Sequence, residues 1–119
     1  MSEAGAAFRT EAVSVVDKKT IDDSAWQPLR GLAGVNHKVL WRTGEMVVGI
    51  VRVEPGAEEP GHAHHDASHH MYVLDGSARI GGQTAAAGAF AFVPSGVTHA
   101  ITDVGPGGCT LLYTYATKH

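Results

Sequence analysis

Apolar residues along this chain fall in short alternating runs, each cut off by Gly, Pro, Asn or Asp. Val13 to Val16 and His37 to Arg42 are strand candidates, separated by the irregular stretches Asp22-Asp23-Ser24 and Trp26-Gln27-Pro28. From Glu45 to Val53 the pattern has period two. Val47, Gly49, Val51 and Val53 fall on one face, and Met46, Val48, Ile50 and Arg52 on the other. Both faces are mostly apolar, which predicts a strand covered on two sides. Glu54-Pro55-Gly56 stops it. Further runs are His69 to Leu74, Ser77 to Ile80, Gln83 to Ala87, Ala89 to Val93, Thr98 to Thr102 and Thr110 to Ala116. Gly81-Gly82 between two of them is a strong two-residue hairpin signal. No segment carries the period of an amphipathic helix of ten residues or more. The pattern therefore predicts an all-β sandwich or barrel.

A chain of 119 residues is one domain by length. Residues 1–12, rich in Ala, Gly and Glu, are expected to be partly disordered, and residues 13–119 to form the single barrel. The net charge of −3 comes with no basic block, so neither nucleic acid nor an anionic membrane is an expected partner. Without a membrane-spanning run or a signal peptide, and with Cys109 alone, the expected location is the cytoplasm. Cys109 is expected to pack in or near a strand.

The histidines change the picture. Five of the eight lie between His62 and His70, and His99 follows in a loop-like Pro-Ser-Gly-Val-Thr-His run. Neutral imidazole is the commonest ligand for transition metals. Residues two apart on a strand point the same way, so His62 and His64 project together. The step to His69 lets the chain turn back as the neighbouring strand, and His99 arrives from a distant one. Such an arrangement encloses an ion without a helix.

Gly56-x5-His62-x-His64-x4-His69-x6-Gly76 resembles the first signature of the cupin superfamily, which has Glu where this chain has His69. Gly88-x5-Pro94-x-Gly96-x2-His99-x3-Asp103 resembles the second, whose last position is usually Asn. Eight of ten fixed positions match, with every spacing kept. The resemblance implies a double-stranded β-helix, or jelly-roll barrel, holding one divalent metal through His62, His64, His69 and His99. Four imidazoles form an all-nitrogen shell, which favours Fe, Ni, Cu, Zn or Co over Mg and Ca, with Mn retained because histidine-rich cupins also use it. His70 competes with His69 if a one-residue bulge turns it inward. His65 is expected in a solvated loop or beside a ligand, Asp66 in a solvated turn, Asp103 in a local turn hydrogen bond, and His37 and His119 at the surface.

The stretch from Trp26 to Leu40 is also similar to N-terminal segments of cupins related to an anti-sigma-factor sensor domain and to some dioxygenases. The functional expectation is a metal-dependent, dioxygenase-like oxidoreductase acting on a small organic molecule. Its alternatives are a non-catalytic metal- or ligand-binding sensory module, or a metal-assisted isomerase or lyase. With no Glu in the shell, proton transfer is assigned to His70, Tyr72 or a bound water. Met46, Val48, Val51, Met71, Val73, Ile80 and Ile101 are candidates for the cavity wall, and a homodimer packed sheet to sheet is expected.

Overall fold

The computed structural model describes residues 12–62 and 67–117, without the side chains of His62 and Thr117. Among the described residues, one helix, α1 (Lys18–Asp23), precedes nine strands. These are β1 (Gln27–Pro28), β2 (Val35–Arg42), β3 (Met46–Val53), β4 (Glu59–His62), β5 (Ala67–Ile80), β6 (Gln83–Ala86), β7 (Phe90–Val93), β8 (His99–Thr102) and β9 (Cys109–Thr117). Every pairing is antiparallel. One layer runs β1-β2-β3-β9-β5-β7, and the other runs β4-β8-β5-β6. The long strand β5 belongs to both and rolls the sheet into a jelly roll.

Two expected strands, His69 to Leu74 and Ser77 to Ile80, are thus one bent strand. A bulge between Val73 and Asp75 resets which face its side chains take. Val73 points inward before it, and Ala78 and Ile80 point inward after it. Gly76 permits the bend. Its φ is +79°, and a Cβ there would lie 1.9 Å from the Gly108 carbonyl oxygen. Gly81 and Gly82, both at positive φ, form the expected hairpin turn between β5 and β6.

The core is the interior of the roll. Val35, Val53, Val73, Ile101, Cys109 and Leu111 are essentially sealed from solvent. Each aliphatic among them contributes about 1.5–3 kcal/mol by leaving water. Cys109 packs here as expected, and burial pushes its thiol pKa up. The opposite face of the first layer differs from expectation. Tyr72, Leu74, Phe90 and Phe92 stand 44–64% exposed, and Met46 is 37% exposed. Among the described residues, the outer side of this sheet is only partly covered.

Val13 to Val16 do not form the expected strand. Val13 and Val15 are 93% and 82% exposed, and a strand without a neighbour has nothing to hold it. The chain turns instead into α1. The Asp17 side chain accepts from the Thr20 backbone N–H at 2.9 Å, which also lowers the Asp17 pKa. At the other end the Lys38 ammonium donates to the Ile21 carbonyl at 2.7 Å and sits 4.7 Å over the Trp26 ring.

Candidate metal centre and cavity

The register of the first layer sets a row of side chains across its concave face. Arg42 pairs with Val47, Val47 with Tyr115, Tyr115 with His69, and His69 with Val93. The next row runs Val39, Gly49, Tyr113, Met71 and Ala91. From these rows Arg42, Val47, Tyr115, His69, Tyr113 and Met71, together with residues of β4 and β8, line a cavity of about 240 Å³. Val51, Met71 and Ile101 supply its apolar wall, and Glu59, His69, His99, Tyr113 and Tyr115 supply polar groups. Of the other expected wall residues, Val73 and Ile80 are core, whereas Met46 and Val48 share the outer face.

His69 and His99 are brought together, with ring centroids 5.3 Å apart. His99 is 5% exposed, and its Nδ1 lies 3.2 Å from the Val97 carbonyl oxygen. A carbonyl can only accept, so the proton sits on Nδ1 and Nε2 keeps its lone pair. This is the usual way a ligand histidine has its tautomer fixed. The Nε2 of His69 is buried from solvent, and Tyr115 packs edge-on against the ring at 4.8 Å. Both rings therefore fit a nitrogen-preferring transition ion.

The backbone of His62 is the cross-strand partner of His99. β4 is thus hydrogen-bonded to β8, not to β5 as a simple turn-and-return predicts. His64, His65 and Asp66 lie outside the described residues, as does His119. Among the described residues, no group of three or more His, Cys, Asp or Glu is arranged to hold an ion.

His70 and Tyr72 point the other way. The register is regular around His69, with His69 opposite Val93 and His70 opposite Phe92, so no bulge turns His70 inward. His70 instead bonds the Thr114 hydroxyl through Nδ1 at 3.1 Å and packs at a 45° tilt against Phe92, ring centroids 5.1 Å apart. Tyr72 is 44% exposed. Neither lines the cavity. Asp103 takes the left-handed conformation that Asp tolerates, with Arg79 4.0 Å away.

Three features in and beside the cavity escaped the sequence. Glu59, 8% exposed, is held by the Arg30 guanidinium at 2.6 Å. Its position three residues before His62 was the available signal. His37, expected at the surface, is half-buried and shares a 3.2 Å hydrogen bond with the Tyr113 hydroxyl. Gly49 makes room for this pair, since a Cβ there would fall 2.7 Å from the Tyr113 oxygen. Burial, then the charge of Arg42, hold the His37 pKa below the ordinary imidazole value. Burial raises that of Tyr113. At neutral pH His37 is uncharged and Tyr113 keeps its proton.

A sequence model of the ChrR cupin-like domain matches residues 15–118, nearly the whole barrel. The chain belongs to this cupin family. Solved cupin structures superpose on it. An RmlC-like cupin from Shewanella frigidimarina is 26% identical, with a TM-score of 0.68 over 82% of this chain and 87% of that one. The polyketide cyclase RemF from Streptomyces resistomycificus is 24% identical, with a TM-score of 0.72 over 91% and 81%. The anti-sigma factor ChrR of Rhodobacter sphaeroides, solved in complex with SigE, is 21% identical, with a TM-score of 0.66. This cupin covers 51% of that longer chain, and 81% of its own residues are matched. No curated protein matches the sequence. Among the described residues, no helix is long and apolar enough to cross a membrane.

Proposed function

We propose that this cupin is a metal-dependent enzyme acting on a small organic molecule, with dioxygenase-like oxidoreductase chemistry. The observation that carries the reading is the convergence of His69 and His99, one with its tautomer fixed, on an apolar-walled cavity. His62, His64, His69 and His99 would hold one divalent ion of the Fe, Mn, Ni, Cu, Zn or Co class. A bound ion would supply Lewis acidity or redox capacity.

The chain's own residues do the rest. Val51, Met71 and Ile101 exclude bulk water, which strengthens each polar contact inside. In the tautomer where His37 donates from Nδ1 to the Tyr113 oxygen, the protonated Tyr113 hydroxyl is left to donate to a substrate oxygen. Proton handling accordingly passes from His70 and Tyr72 to Tyr113. Arg30 and Glu59 close the cavity wall as an ion pair.

Anaerobic loading with Fe(II), followed by oxygen uptake with diketones, phenolic ketones and thiols, tests the reading. Substrate-dependent uptake is expected, and its absence with all six metals would refute the oxidoreductase assignment. Turnover without oxygen would point to the isomerase or lyase alternative. A second reading, a non-catalytic sensory module, is favoured by the family match to the ChrR domain. Its signature is a stoichiometric protein partner whose binding depends on metal occupancy.

A further inference from the structure

The strand β2 carries a bulge between Val39 and Trp41. Before it, Val39 faces Gly49 on the concave side; after it, Trp41 faces Val48 on the outer side and Arg42 faces Val47 on the concave side. Without the extra residue, strict alternation would put Arg42 on the outer face with Lys38. The irregularity therefore re-aims one side chain, Arg42, toward the mouth of the cavity, where it stays exposed to solvent, and bulges beside active sites commonly serve that purpose.

The cavity holds a second arginine with a different situation. Arg30 is committed to Glu59 at 2.6 Å. Arg42 has no carboxylate within ion-pair distance among the described residues, and its charge bears on both His37 and Tyr113. Glu59 also bears on Tyr113, but Arg30 already neutralises it, so the Arg42 guanidinium is the unbalanced charge at this end of the cavity. His69 lies on the same row, three strands away, or roughly 14 Å between backbones at about 4.8 Å per strand. With both side chains reaching inward, that span leaves room for a small molecule held at its two ends.

We propose that the cavity selects a small organic carboxylate, its anionic end gripped by Arg42 and the Tyr113 hydroxyl and its other end presented to His69 and His99. The inference rests on the enzyme reading for the role of the histidine end, but the anion grip itself needs no metal. Arg42 is the specificity-determining residue. Its planar fork suits a carboxylate in a way an ammonium does not.

Calorimetric titration of the purified protein with benzoate and with the isosteric neutral benzamide separates these claims. Benzoate should bind at least about tenfold more tightly, as a charge-assisted pair requires. Arg42→Met should abolish the preference, and Arg42→Lys should restore it only in part. Arg42 is exposed at a strand end, so thermal unfolding should show both variants folded. His99→Ala guards against a carboxylate that merely ligates the ion: benzoate binding should survive there. Equal binding of the two probes, no binding of either, or a preference that persists in Arg42→Met or vanishes in His99→Ala would each overturn the proposal. Oxygen uptake tests the enzyme reading separately, so the two can fail independently.

Discussion

His37 illustrates how one side chain's surroundings decide its role. It looked like an isolated surface histidine, because nothing local marks its contact with Tyr113, 76 residues away. Burial favours its neutral form, and the Arg42 cation facing it acts in the same direction. Its folded pKa therefore lies below the unfolded value near 6.5. The stability linked to this group is fully present above that value and declines as pH falls through the folded pKa, because the unfolded chain takes up the proton more readily. Urea unfolding at neutral pH and at about pH 5 should show a smaller acid loss in His37→Asn than in the parent. An identical loss in both would mean that burial of His37 carries no penalty for charge.

At the scale of elements, bulges and close backbone approaches do what the alternation pattern could not foretell. Strand positions were legible because Gly, Pro and Asp punctuate runs of β-branched and aromatic residues, and the Gly81-Gly82 turn was placed correctly. The continuity of β5 was not legible, since Asp75-Gly76 reads locally as a stop. The decisive contact is with Gly108, 32 residues on, whose carbonyl would lie 1.9 Å from any Cβ at position 76. Gly76→Ala should cost about 2–4 kcal/mol, combining strain at positive φ with displaced backbone. A urea midpoint within experimental error of the parent would show that the bend tolerates a side chain. The bulge in β2 was equally invisible, and with it the inward turn of Arg42. His69 and His99 were identifiable from motif spacing, whereas Glu59 and Tyr113 join the cavity only through cross-strand register.

The whole molecule presents two contrasting faces of one sheet. The concave face carries His37 and His69, and the convex face exposes Tyr72, Leu74, Phe90 and Phe92 in adjacent registers of β5 and β7. A contiguous aromatic surface of this kind suits an interface, and the homodimer expected from sequence would cover it. Phe92→Lys should convert a dimer to a monomer in light scattering, with metal content unchanged. A mass unaffected by the substitution would place any assembly elsewhere. The account as a whole depends on imidazoles from separate strands meeting at one ion. X-ray absorption at the metal edge of protein purified without added metal measures that meeting directly. The expected spectrum shows a nitrogen-dominated shell at about 2.0–2.2 Å with imidazole scattering, lost in His99→Ala and kept in His65→Ala. A sulfur-containing shell, or the absence of bound metal after loading with each candidate ion, would contradict the account.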